Sequence, residues 1–318
     1  IDNSKELINA RSGGDSDGIH LEVVIGTHKD QTAVTAGKLI HKWTKNNRNY
    51  FHYKTNQRII NFYGIVSAEY DLVKEQWSHH QNSKPVDLEI YYHPAHSYNL
   101  KRMMKGLQAS LSYFSKHFSP YQYEQLRIME FPRYMEFAQS FPNTIPFSEA
   151  LGFVLDINDE TDVDMAFYIT AHEVAHQWFG MQIEAANVQG KNFFLETLAQ
   201  YGAVMALKEH YSEAKVLQFL ALQKEDYDKK RKKATSEPSL ALVENQDFVY
   251  YNKGVIAMYK LQKVIGEKQV NLAIQRFIND WHSYKGTIKV QTDKYATSKD
   301  LLGYFKEVTP NHLQNVIH

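Results

Sequence analysis

The run His172-Glu173-Val174-Ala175-His176 holds the residue types and spacing best suited to chemistry in this chain. On a helix, two histidines four apart sit about 40° apart in projection and about 6 Å along the axis, so both imidazoles can converge on one ion. Glu173 projects from an adjoining side, where it can take a proton from an attacking water without occupying the metal. The pattern reads as two zinc ligands and a general base that later returns the proton.

That reading requires a helix. Thr161 or Asp162 offers an N-cap, residues 163–179 contain no proline and no glycine, and Gly180 can end the run. A five-residue pattern also arises by chance, so a third ligand is the needed corroboration: catalytic zinc usually takes three protein ligands and keeps a fourth position open. Glu184 and Glu196 are the candidates. Glu184 follows Gly180 in a loop, whereas Glu196 sits in Phe193-Phe194-Leu195-Glu196-Thr197-Leu198-Ala199-Gln200-Tyr201, an apolar stretch able to pack a second helix on the first. A carboxylate buried there without a partner would be costly, and a metal supplies the partner, so Glu196 is taken as the third ligand. The metzincin pattern is excluded, because its glycine and third histidine would fall at Phe179 and Gln182.

These residues resemble the gluzincin aminopeptidases, the family of aminopeptidase N and leukotriene hydrolase. Residues 177–195 separate His176 from Glu196, one more than is expected of that family and equal to the thermolysin spacing. Tyr251-Asn252-Lys253-Gly254 resembles the family's Tyr-x-Lys-Gly motif, which implies that Tyr251 donates a hydrogen bond to the oxyanion formed when water attacks the scissile carbonyl. A closer likeness is to the bacterial aminopeptidase-like domains fused to ABC-type transporter permeases. It is carried by Ala186-Asn187-Val188-Gln189-Gly190, by residues 196–201 and 137–153, and by Val243-Glu244-Asn245-Gln246. The resemblance runs from about residue 120 to 282 and is weak before residue 90.

The family implies a peptide substrate, one Zn2+ per chain and aminopeptidase activity. One segment departs from it. Anchored on Phe147-Ser148-Glu149, residues 137–141 align with the family's Gly-x-Met-Glu-Asn strand, and Ser140 stands where a glutamate holds the substrate's amine. Glu149 and Glu130 are the acids that could substitute. An endopeptidase, a processor of one peptide linked to a transporter, and a peptide-binding module of low turnover are the alternatives. The last has no need of a base such as Glu173 beside the metal.

Composition sets the bounds. The 318 residues include 36 basic and 36 acidic side chains, a balance that argues against a nucleic-acid partner. With no cysteine, a metal site must use nitrogen and oxygen. No apolar run has the length of a membrane span, and the start lacks a methionine or signal peptide, so the chain is expected to be a fragment, in a compartment the sequence leaves open. The likeness implies a possible membrane-embedded transporter permease in the full-length protein, with this chain as an extracytoplasmic domain.

The expected fold class is α+β. Residues 1–92 form a partial β-domain, with strands over 20–26, 50–54, 58–66 and 86–92, and residues 93–318 form a mainly α, thermolysin-like zinc peptidase domain. Helical spacing marks 99–118, 212–233, 251–265, 268–282 and 298–308; residues 126–129 and 145–155 suggest a small sheet, and 284–295 a connector. The basic run 229–233 reads as the solvated end of a helix. His79, His80 and the other histidines outside the motif lack ligand spacing with a carboxylate. Trp178 and Phe179 read as packing behind the zinc helix.

Overall fold

The computed structural model describes residues 2–11, 18–81, 83–282 and 294–317. Of the connector read over 284–295, only Lys294 and Tyr295 fall among them. The chain forms two compact units, one comprising Asp17–Ser112 and Tyr121–Gln177, the other Ile1–Ser16, Tyr113–Pro120 and Trp178–His318.

In the first unit, β1 (Glu22–His28), β3 (Lys38–Lys45) and β4 (Arg48–Lys54) make an antiparallel sheet in the order β1-β4-β3, and β2 (Thr32–Val34) pairs with β5 (Val66–Ala68). The β3–β4 hairpin turns on Asn46 and Asn47, both at positive φ, the conformation that matches the twist of the flanking strands. β4 sends Phe51 and Tyr53 into the core, whereas β3 is an edge strand exposed along most of its length. Its lysines hide the strand period, and for the same reason β6 (Asp71–Trp77), another edge, was not expected. The strand expected over 58–66 is corrected. Ile59 makes one bridge to Ile19, then Phe62 N–H donates back to the Ile60 carbonyl at 2.7 Å and breaks the extended run before β5.

A four-stranded sheet follows, in the order β6-β7-β8-β9, with β7 (Val86–Tyr92), β8 (Gln125–Phe131) and β9 (Thr144–Ser148) parallel to one another. α2 (Leu100–His117) makes the β7-to-β8 crossover. β8 and β9 are buried at every residue, as parallel strands covered on both faces must be. β9 stops at Ser148, short of the expected 155, because Glu149–Leu151 coils into a 3-10 turn that packs against α3 (Met165–Ala175).

The second unit is helical apart from short bridges: α1 (Ser4–Leu7), α4 (Leu198–His210), α5 (Glu213–Lys233), α6 (Gly254–Ile265), α7 (Glu267–Trp281) and α8 (Ser298–Val308). Caps mark the ends. Ser212 accepts from Lys215 N–H ahead of α5, Thr297 and Asp300 form a reciprocal capping box on α8, and Gly266 at φ 96° turns α6 into α7. Two single wide turns of π geometry precede helices: Phe193–Thr197 leads into α4 and Phe248–Lys253 into α6. The mixed sheets followed by helices agree with the α+β expectation.

Candidate metal centre

α3 is buried on nearly all sides, and its position is fixed from both ends. At the start, Asp164 is the N-cap, in place of the expected Thr161 or Asp162, because Asp162 is taken up by a local loop with Asn158. Asp164 Oδ1 accepts from Phe167 N–H at 2.9 Å and Oδ2 from Arg102 Nη1 of α2 at 2.9 Å. Midway, a Cβ on Gly106 of α2 would lie 3.0 Å from Thr170, so glycine permits the two helices to approach closely. The α-helix ends at Ala175 with His176 as C-cap, earlier than the expected Phe179.

Just beyond, fully buried Gln177 donates through Nε2 to Ser140 Oγ at 2.5 Å and to the Phe141 carbonyl at 2.8 Å. Its Oε1 accepts from Asn143 N–H at 2.9 Å. Ser140 is therefore buried and engaged in holding the end of the histidine helix.

The Nε2 atoms of His172 and His176 stand 3.2 Å apart. Two ligands each about 2.0–2.1 Å from one ion at a tetrahedral angle would be separated by about 3.4 Å, so the pair fits a shared zinc. One ligand atom each from His172, His176 and Glu196 lie within 4.8 Å of one another, a two-nitrogen, one-oxygen donor set of the kind zinc accepts. Glu184 belongs to no such group among the described residues. Glu173, between the histidines in sequence, is buried.

Glu196 and Tyr251 each lie on one of the wide turns, and the two turns pack together. Thr197 Oγ1 donates to the Tyr250 carbonyl at 2.6 Å, and a Cβ on Gly254 would lie 2.5 Å from that same hydroxyl. The glycine of the Tyr-x-Lys-Gly run is thus the seat of Thr197. The Tyr250 phenol is pushed up to about 12, first by burial and then by the negative charge of Glu196.

The two acids read as amine-binding candidates come together around a residue that spacing did not reveal. His96 Nδ1 pairs with Glu130 Oε1 and lies 3.6 Å from Glu149 Oε2, while Arg133 reaches Glu149 at 3.4 Å. Glu130 also accepts from His93 N–H at 2.5 Å, yet burial holds its carboxyl above the usual range. The three form a second group with ligand atoms within 4.8 Å. The expectation that the histidines outside the motif lack ligand spacing with a carboxylate is therefore corrected for His96, while His28 and His52 each pair with a single carboxylate, Asp30 and Glu22. His96 and Glu130 are distant in sequence, so no linear signal joins them; only the fold of β8 does.

Other expectations resolve simply. In the basic run, Lys229 pairs with Glu225, Lys230 with Asp226 and Asp247, and Arg231 with Glu237. Trp178 is fully buried and donates from Nε1 to the Ser119 carbonyl at 2.9 Å.

The family model "Peptidase family M1 domain" matches residues 98–316, which is more than half of the chain. The chain belongs to peptidase family M1. Among solved structures, the M1 zinc metallopeptidase from Deinococcus radiodurans superposes with a TM-score of 0.70 at 14% identity, covering 95% of this chain and 63% of that one. A glutamate-to-alanine variant of it, solved with a Tyr-Ser-Ala substrate, gives a TM-score of 0.68 at 13% identity, with the same coverage of 95% and 63%. This M1 chain therefore spans less than two thirds of the length of those structures, and at such identity the likeness is one of fold. A comparison with curated proteins gave no match. No helix among the described residues is long and apolar enough to cross a membrane.

Proposed function

We propose that this M1 chain is a zinc-dependent peptidase in which His172, His176 and Glu196 hold the ion. The observation that carries the proposal is the convergence of two imidazole nitrogens and one carboxylate oxygen within 4.8 Å of one another, in a chain of peptidase family M1. Zinc, when bound, supplies Lewis acidity toward water and the scissile carbonyl. Glu173 accepts the proton of the attacking water and passes it to the departing amine. Tyr251 donates its phenolic hydrogen to the oxyanion, whose charge develops only as the tetrahedral species forms.

Aminopeptidase specificity is the leading substrate reading. The group that supports it is Glu130 with Glu149, one carboxylate on β8 and one on the turn that packs against α3, with which a substrate ammonium would form charge-assisted contacts shared with His96 and Arg133. Ser140, committed to Gln177, takes no part in that recognition. A place beside a transporter permease in a longer protein rests on the sequence resemblance, and reading the gene outward for membrane spans tests it.

The deciding experiment is elemental analysis together with peptide hydrolysis. The purified chain is expected to carry about one zinc and to release amino acids from a free peptide, and His176→Ala to lose both. Full metal content in His176→Ala would remove the assignment.

A further inference from the structure

We propose that Thr197 and Glu237 are positioning residues that aim Tyr251, clamping the wide turn Phe248–Lys253 from two sides. The proposal rests on the reading of Tyr251 as the oxyanion donor and says what holds it in place.

A π turn is less favoured than the α-helical turn it replaces and persists only where surrounding contacts impose it. Here the contacts fall on either side of Tyr251. On one side, Thr197 Oγ1 takes the Tyr250 carbonyl at 2.6 Å, so a hydroxyl from the neighbouring wide turn fixes the peptide that leads directly into Tyr251. The Thr197 side chain reaches that carbonyl through the notch at Gly254, where a Cβ would come within 2.5 Å of Oγ1 and 2.7 Å of Cγ2. On the other side, Lys253 Nζ pairs with Glu237 Oε1. The second oxygen of Glu237 accepts from Tyr227 at 2.9 Å and from Arg231 Nε at 2.7 Å, both on α5. Glu237 is only 13% exposed, so its partners are held rather than grazed.

The run Tyr251-Asn252-Lys253-Gly254 thereby acquires a physical content. With Tyr251 read as the oxyanion donor, Lys253 is the tether to Glu237 and Gly254 is the space that admits Thr197. Neither Lys253 nor Gly254 needs to touch substrate. At the head of the turn, Asp247 accepts from Phe248 N–H at 2.7 Å and from Lys230 at 2.9 Å, so the carboxylates of Asp247 and Glu237 fasten the turn to the same helix, α5. A catalytic hydroxyl displaced by even about 1 Å loses rate on the order of 100-fold, which is the scale on which such a clamp matters.

The test measures kcat, KM and zinc content on one fixed peptide for Thr197→Val, Thr197→Ser, Glu237→Gln, Tyr251→Phe and the double variant Thr197→Val/Tyr251→Phe. Thr197→Val keeps the shape and removes the donor; it is expected to lower kcat about 10- to 100-fold with zinc retained and KM within about twofold. Thr197→Ser is expected to recover most of that loss. Glu237→Gln, which keeps the side chain's shape and removes its charge, is expected to lower kcat about tenfold. In the Tyr251→Phe background, Thr197→Val should cost less than about twofold, because there is no longer a hydroxyl to aim.

An undiminished cost in that background, or zinc loss in Thr197→Val, would assign Thr197 to Glu196 instead and overturn the clamp. Unchanged kcat in Glu237→Gln would remove Glu237 from it. Unchanged kcat in Tyr251→Phe alone is a separate result, one that removes the reading of Tyr251 and with it the purpose of the clamp.

Discussion

Arg102 Nη1 lies 2.9 Å from Asp164 Oδ2, so the N-cap of the histidine helix is held by a cation on α2. Asp164 is 5% exposed, and its other oxygen caps Phe167 N–H. Asp164→Ala would strip the cap and leave a partly buried guanidinium short of one partner. A loss of about 1 to 3 kcal/mol in stability is expected, read as a lower denaturant midpoint with an unchanged slope. A variant as stable as the parent would show that packing along α3 suffices without its cap.

Glu173 and Glu196 are expected to separate in their effects. Glu173→Gln keeps the shape and removes the base, so zinc content should stay near that of the parent while turnover falls about 100- to 10,000-fold. Glu196→Ala should weaken zinc itself. Elemental analysis of both variants after dialysis distinguishes them, and equal metal loss would reassign Glu173 as a ligand. Tyr251→Phe should leave zinc in place and raise the barrier by about 2.7 to 4 kcal/mol, the range seen when one oxyanion donor is removed.

Amine recognition can be read from a paired series of peptides with free and acetylated N-termini. A charge-assisted contact contributes about 1.5 to 3 kcal/mol, so a working Glu130–Glu149 pair should favour free amines by about 10- to 150-fold. Glu149→Gln should reduce that preference. If the preference survives both Glu149→Gln and Glu130→Gln, another group holds the amine. Indifference to acetylation in the parent would point to an endopeptidase.

The carboxyl of Glu237 is held below the usual carboxylate range, first by Lys253 and then, against some opposing burial, by Tyr227 and Arg231. The folded state thus favours the ionised form. Glu237 therefore stabilises the fold above its ordinary value of 4.5, and that contribution fades as pH falls through the lowered folded value. Thermal unfolding of the parent and of Glu237→Gln should therefore differ at neutral pH and converge as the pH falls below the lowered folded value. A gap that stays constant across that interval would mean that the charge of Glu237 contributes nothing.

Much of the candidate site is legible in the sequence because its proposed chemistry is local. His172, Glu173 and His176 are fixed by helical spacing, and the choice of Glu196 over Glu184 followed from the cost of burying a carboxylate among apolar residues. Helices with strong periodicity, such as α5 and α8, stand within a residue or two of where spacing put them. What escaped was set by long-range pairing. β3 and β6 are edge strands whose exposed lysines and glutamates blur the alternation, and the turn at Asn46-Asn47 was the one local sign of the first. The partnership of His96 with Glu130 exists only because β8 runs parallel to β7 and delivers Glu130 to the loop that follows. The wide turns were illegible for a different reason: no residue type demands a π turn, and contacts such as Thr197 with Tyr250 impose it.

The turn Phe193–Thr197 also bears on the count of residues between His176 and Glu196. A π turn takes in one residue more than an α turn, while the helix beyond it resumes its course with side chains directed as before. The one-residue excess over the spacing expected of the aminopeptidases can thus be absorbed locally, much as a slack loop in a rope leaves both anchored ends where they were. A search template for this chemistry should accordingly weigh the direction in which the glutamate points above the number of residues that precede it.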